Sequence, residues 1–256
     1  MDTFTALTQY YENYDEENRL RSRHGMVEYL TTMRYIEKYL RHGMRILEIG
    51  AATGRYSHAL ARQGYRVDAV ELVQHNIDIF RANTQPGEDV TVYLGNAKKL
   101  DMLSDDTYDV TLLLGPMYHL FTVQEQLEAL SEAIRVTKKG GVIFAAYCGN
   151  DATMVQYCFG RGMIKEQKYR DLIDPVTFKA SSDPAELFEL YRKEDQIADN
   201  TDYAGKAAHL GADTGDIGFG IFGHEEFQKQ FGHGVHSCQI FPHYTMPWPC
   251  RKGKLW

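Results

Sequence analysis

Two stretches of the chain carry residues whose types and spacing could do chemistry. The first is Glu48-Ile49-Gly50-Ala51-Ala52-Thr53-Gly54, followed further on by Glu71. Glycines let a backbone approach a ligand without a Cβ in the way, and a helix beginning after Gly54 would turn its unpaired N–H groups toward the same space. An acid at the tip of a neighbouring strand can accept both hydroxyls of a ribose, which is the place Glu71 takes. The second stretch is Gly115-Pro116-Met117-Tyr118-His119-Leu120. Tyr118 and His119 are the catalytic candidates, because an imidazole titrates near neutrality and can take a proton from an O–H, N–H or S–H group. His119 reads equally well as a residue that caps the next helix or bonds a backbone carbonyl.

These residues need elements to position them. Ile46, Leu47 and Ile49 form a short apolar run that predicts a buried parallel strand entering the glycine turn. Tyr56, Ala59 and Leu60 share one face of the helix after it, Gly64 stops that helix, and Tyr65 to Glu71 returns as a second strand. Val73, Ile77 and Phe80 mark a further helix, and Val90 to Leu94 a third strand that runs into Gly95-Asn96-Ala97. Tyr108 to Leu114 predicts a fourth strand, and its tip lies beside that of the first where the strand order reverses. Leu127, Leu130 and Ile134 stripe the next helix, with Lys138 and Lys139 in its last turn, Gly140-Gly141 ending it, and Val142 to Tyr147 as a fifth strand. Ahead of all this, Val27, Leu30, Met33, Ile36 and Leu40 predict an amphipathic helix whose stripe is core.

The glycine spacing separates possible ligands. A dinucleotide fingerprint needs G-x-G-x-x-G and a phosphate-binding loop needs G-K-[ST], and Gly50-x-x-x-Gly54 followed by Arg55-Tyr56 supplies neither. The stretch resembles the first motif of the class I S-adenosylmethionine-dependent methyltransferases, of the small-molecule type, usually E/D-x-G-x-G-x-G. The resemblance spans about residues 42–149 and has four matching sites in order. It implies an α/β fold, doubly wound, with a mostly parallel seven-stranded Rossmann-like sheet. It also implies that Gly50, Ala51, Ala52, Thr53 and Gly54 line the methionine part of the cofactor, that Glu48 orients that loop, and that Glu71 with Leu72 holds the ribose. Asn96 and Ala97 would lie beside the adenine, and Leu114 and Gly115 beside the reactive end. Ala52 stands where the family usually has glycine, which is tolerable if that residue keeps a negative φ. Asn96 stands where the family has an acid, and an amide can still make the hydrogen bonds.

Residues 1–41 read as an N-terminal helical cap whose aromatic segment could close over a cofactor and exclude water, with Tyr11, Tyr14, Arg19 and Arg23 as the residues to follow. Residues 42–149 form the cofactor-binding core, and residues 150–256 hold a lid or substrate insert and the end of the sheet. There, 152–162 and 183–198 look helical. From about Ala204 the periodicity is lost, the last two strands are not legible, and the proline-bearing end is atypical for a strand. His233, His236, Cys238, His243 and Cys250 fit no regular zinc spacing, so no metal is expected.

The formal net charge of -7 over 256 residues disfavours a nucleic-acid partner. The four cysteines show no C-x-x-C pair, and no apolar run is long enough for a membrane span, so a cytoplasmic protein with no membrane partner is expected. The expected function is methyl transfer to an O, N or S atom of a small-molecule acceptor. A non-catalytic module that only holds the cofactor shares every cofactor residue, and an NAD-dependent oxidoreductase shares the strand–turn–helix unit but lacks its fingerprint.

Overall fold

The computed structural model describes residues 3–150 and 154–180, and the strand segments Leu190–Tyr191, Ile217–Phe222 and Gln239–Phe241. Five parallel strands form the centre of the sheet: β1 (Arg45–Ile49), β2 (Arg66–Glu71), β3 (Val90–Leu94), β4 (Tyr108–Leu113) and β5 (Thr137–Gly149), in the order β3-β2-β1-β4-β5. The order reverses between β1 and β4, and the register pairs Ile49 with both Val70 and Leu113, so the carboxyl tips of three strands end level around one crevice.

Strand alternation distributes the apolar residues between two layers. Leu47, Ile49, Leu113 and Ala145 face one cluster with Ala129, Ala133 and Val136 of α6 (Val123–Val136). Ile46, Leu112 and Phe144 face the other, against Ile36 of α3 (Arg23–Glu37) and Leu60 of α4 (Arg55–Arg62). Each fully buried Leu or Ile here contributes about 1.5–3 kcal/mol. α5 (Gln74–Asn83) packs Phe80 against Ala51 and Ala69. At the amino end of the strands, buried Asp68 accepts from Arg45 Nε at 2.9 Å and from the Tyr108 hydroxyl at 3.0 Å. That network ties β1, β2 and β4 together at the end away from the crevice.

The helices over the open end are α1 (Thr3–Asn13), the short α2 (Glu16–Arg19) and the start of α3. α2 is capped by Asp15, whose side chain accepts from Asn18 N, and α3 by Ser22, whose hydroxyl accepts from Gly25 N. The α3 stripe is narrower than the sequence suggests: Met33 and Ile36 are buried, but Leu30 is 58% exposed.

The boundary between α6 and β5 also differs from the expectation. Lys138, Lys139 and Gly140-Gly141 belong to β5 and not to the helix, which stops at Val136. Thr137 turns extended because its hydroxyl bonds both Ala133 O and the Thr111 hydroxyl at 2.6 Å, and Lys138 then reaches Asp109 on β4 at 2.9 Å. After β5, residues Met154–Gly160 form a π-helical turn. β6 (Leu190–Tyr191) lies parallel to the end of β5, β7 (Ile217–Phe222) lies antiparallel to β5, and β8 (Gln239–Phe241) is antiparallel to β7. Leu190 and Tyr191, expected in a helix over 183–198, are extended instead, because they pair with Cys148 and Gly149 of β5, and β7 and β8 were not legible from the periodicity. The rest of the tail lies outside the described residues, including most of the expected 183–198 helix and the five His and Cys residues weighed as a metal set.

Candidate active site

The loop between β1 and α4 owes its shape to three left-handed residues. Gly50 has φ +78 and Gly54 φ +88, and a Cβ would come within 2.7 Å of Pro116 at the first and 2.4 Å of Phe80 at the second. Ala52 lies between them at φ +49. The condition set for tolerating alanine, a negative φ, is therefore not met, and the acid opposite supplies a compensation: in this conformation Ala52 N donates to Glu71 Oε2 at 2.8 Å. A left-handed alanine costs about 1–2 kcal/mol, and a hydrogen bond to a charged group returns about 1.5–3 kcal/mol.

Glu71 is buried at the tip of β2. Its Oε1 accepts from Val73 N at 2.9 Å and from Asn76 Nδ2 at 3.4 Å. Burial pushes its carboxyl upward, and the backbone N–H groups of Val73 and Ala52 pull it back. A carboxylate offers about four acceptor positions, so both oxygens keep room for a hydroxyl donor. Asn76 adds a buried Oδ1 without a hydrogen-bond partner among the described residues. Nothing in the sequence singled out Asn76; its one signal is its place in the first turn of the helix after Glu71. Glu48 lies beneath the loop and accepts from Ser57 N at 3.0 Å and from the Ser57 hydroxyl. Burial raises its carboxyl to about 8, so near neutrality it is mostly the neutral acid.

These groups open into one cavity of about 880 Å³. Its lining takes in Glu48, Gly50, Ala51, Ala52, Thr53, Glu71 and Leu72, then Asn96 and Ala97, then Leu114, Gly115, Tyr118 and His119, with Tyr11 and Tyr14 from α1. Gly54 sits just behind the lining as the first residue before α4. Arg23 is exposed at the start of α3 and does not line the cavity; Arg19 does. Asn96 Oδ1 accepts from Lys98 N at 3.0 Å, which fixes the turn after β3, and Ala97 is buried beside it.

Tyr118 and His119 stand on a 3-10 turn, Pro116–His119, directly after β4. The Tyr118 hydroxyl donates to Leu114 O at 3.1 Å, and burial holds its phenol well above the usual range. His119 does not cap α6, a role taken by Thr122, whose side chain accepts from Glu125 N. Instead its Nε2 lies 2.8 Å from the Tyr11 hydroxyl, with the two rings edge to face at 5.7 Å. Burial also keeps the Tyr11 phenol protonated, so it can donate to a neutral imidazole. α1 is thereby fastened to the tip of β4.

A charged cluster that the sequence reading touched only at Arg19 completes the wall. Arg19 Nε bonds Glu16 Oε1 at 2.7 Å, and its Nη1 bonds Glu28 Oε2 at 2.9 Å. Cys148 at the end of β5 lines the same space, its thiol pushed up to about 12 by burial and therefore inert as a nucleophile.

Residues 46–141 match a family model described as a methyltransferase domain, which covers β1 to the start of β5 and so every strand tip around the cavity. These residues form a domain of the class I S-adenosylmethionine-dependent methyltransferase type. The chain is 31% identical over 129 residues to the Ubiquinone biosynthesis O-methyltransferase of Methylocella silvestris, covering 50% of this chain and 48% of that one. It is 27% identical over 103 residues to an S-adenosyl-L-methionine-dependent Diels-Alderase of Talaromyces variabilis, covering 39% of this chain and 34% of that one. The chain thus spans about half the length of the first relative and a third of the second. A solved protein of Pyrococcus horikoshii shares the fold at a TM-score of 0.59 and 18% identity, over 83% of this chain and 97% of that chain. The family's cofactor is S-adenosylmethionine, and the cradle fits it: the left-handed glycines leave open backbone, Glu71 keeps acceptor capacity at the tip of β2, and Asn76 Oδ1 is orphaned beside it among the described residues.

Proposed function

We propose that this protein transfers a methyl group from S-adenosylmethionine to a small-molecule acceptor seated between α1 and the segment after β5. The observation that carries the reading is the alignment, in one cavity, of Glu71 and the glycine loop at one end with the Tyr11–His119 pair at the other. A volume near 880 Å³ lies at the upper end of the roughly 300–1,000 Å³ typical of ligand pockets, which leaves room for an acceptor beside the cofactor.

When bound, S-adenosylmethionine supplies a methyl group activated by its sulfonium. Glu71 and Asn76 hold the ribose hydroxyls, Asn96 and Ala97 face the adenine, and Gly50 to Thr53 give the methionine part an unobstructed backbone. α1 covers the crevice and excludes water, so most of the acceleration comes from positioning and desolvation. A proton leaving the acceptor passes through the Tyr11 hydroxyl to His119 Nε2.

Two comparisons bear on the acceptor. The name of the Methylocella relative is in keeping with a small-molecule substrate, and the net charge of -7 weighs against nucleic acid. The name of the Talaromyces relative favours a second reading, in which the cofactor is held without methyl transfer. Incubation with methyl-labelled S-adenosylmethionine and the small-molecule fraction of a cell extract separates the two. Label in a low-mass product supports transfer, whereas tight cofactor binding with no labelled product from any fraction supports the second reading.

A further inference from the structure

We propose that the acceptor is an amine that enters the cavity as a cation and is recognised by the carboxylate pair Glu16 and Glu28. The inference rests on the methyl-transfer reading and names its substrate class. Glu16 and Glu28 come from α2 and α3, and their side chains are only 9% and 12% exposed. Both bond the one guanidinium of Arg19, so the three groups carry a net charge of one negative. Among the described residues no second cation pairs with either acid. A buried unbalanced charge is costly until a counter-charge meets it, and burial pushes the Glu16 carboxyl upward in spite of Arg19.

The three residues line the cavity beside Tyr118 and His119, so a cation held in the cavity meets their excess negative charge. The other charges there are accounted for. Lys98 pairs with Glu125 at 2.7 Å, and Glu71 is held by backbone N–H groups at the ribose position. Arg55 stacks on the Tyr29 ring at 4.4 Å, and Arg161 is exposed at the rim. The surroundings also suit a cation. Tyr10 and Tyr14 stack at 5.1 Å with 18° between their planes and line the same cavity, and aromatic faces attract cations.

The chemistry balances. The ammonium gives one proton through the Tyr11 hydroxyl to His119 Nε2. The freed nitrogen lone pair forms the new N–C bond as the C–S bond breaks, and the C–S electron pair returns to sulfur. The charge lost at sulfur reappears on the methylated nitrogen.

The cofactor's own ammonium is the other possible counter-charge, and binding measurements separate the two sources. The full chain is saturated with S-adenosylhomocysteine, which carries that same ammonium. It is then titrated with two matched sets: tyramine, 4-ethylphenol and 3-(4-hydroxyphenyl)propionate, then hexylamine, hexanol and hexanoate. The expected result is that one amine at least binds ten-fold or more tighter than its neutral and acidic counterparts. Glu28→Gln and Glu16→Gln should each weaken that amine about ten-fold while S-adenosylhomocysteine affinity stays within two-fold. Preference for the acid or alcohol, indifference among all six, or a parallel loss of S-adenosylhomocysteine affinity in the variants would overturn the proposal. Failure of S-adenosylhomocysteine to bind the unmutated protein would instead remove the cofactor reading, and this proposal with it.

Discussion

Glu48→Gln isolates the cost of keeping an acid under the cofactor loop. Glu48 is 2% exposed, and its carboxyl is raised from 4.5 to about 8 by burial, against the pull of the Ser57 N–H and hydroxyl. A carboxyl whose folded value lies above its unfolded one contributes its full stability below about pH 4.5 and loses it as the pH rises toward 8. Between pH 5 and pH 7 about two pH units of that window are crossed, and at about 1.36 kcal/mol per unit the loss is on the order of 3 kcal/mol. A glutamine keeps an oxygen for both Ser57 donors and does not titrate. The variant should therefore match the parent near pH 5 and exceed it at pH 7, by up to about 3 kcal/mol or roughly 6–12 °C in Tm for a chain of this size. Urea unfolding of both proteins at pH 5, 6, 7 and 8 reads the difference directly, since groups distant from Glu48 titrate alike in the two. A constant difference across that range would refute the claim that Glu48 is a neutral buried acid.

Other perturbations follow from the same geometry. Ala52→Gly should stabilise the protein by up to about 1 kcal/mol, because φ +49 suits glycine, and chemical denaturation checks it. Asp68→Asn removes the charge that Arg45 and Tyr108 hold at the far end of the strands, and should cost about 3–5 kcal/mol in the same assay without altering cofactor affinity in the protein that remains folded. Tyr11→Phe breaks the bond to His119, so steady-state kinetics should show kcat falling about 10–100-fold with the KM for S-adenosylmethionine little changed.

Most of the glycine loop and the acid facing it was legible because backbone requirements leave a signature in residue type. Gly50 and Gly54 stand where a Cβ has no room, and Glu71 ends a strand that is buried continuously from Val67. The core strands were legible for the same reason: β3 has the bounds its apolar run suggested. What failed depended on partners distant in sequence. The conformation of Ala52 is set by Glu71 across the crevice, and the end of α6 by Thr137 bonding Thr111 on β4. Leu30 fits the helical period but lies on the exposed face of α3. The charged wall was hardest to read, because Glu16, Arg19 and Glu28 are ordinary surface types that come together only when α2 and α3 fold over the strand tips.

The central claim is that the crevice at the strand tips is an S-adenosylmethionine site anchored by Glu71. Calorimetric titration of the full chain with S-adenosylmethionine, S-adenosylhomocysteine and NAD, repeated on Glu71→Ala, tests it most directly. The account predicts binding of both sulfur compounds, none of NAD, and a loss of at least ten-fold in affinity, about 1.4 kcal/mol, in the variant. Binding of NAD in preference to both sulfur compounds, or an affinity for them that Glu71→Ala leaves unchanged, would contradict it.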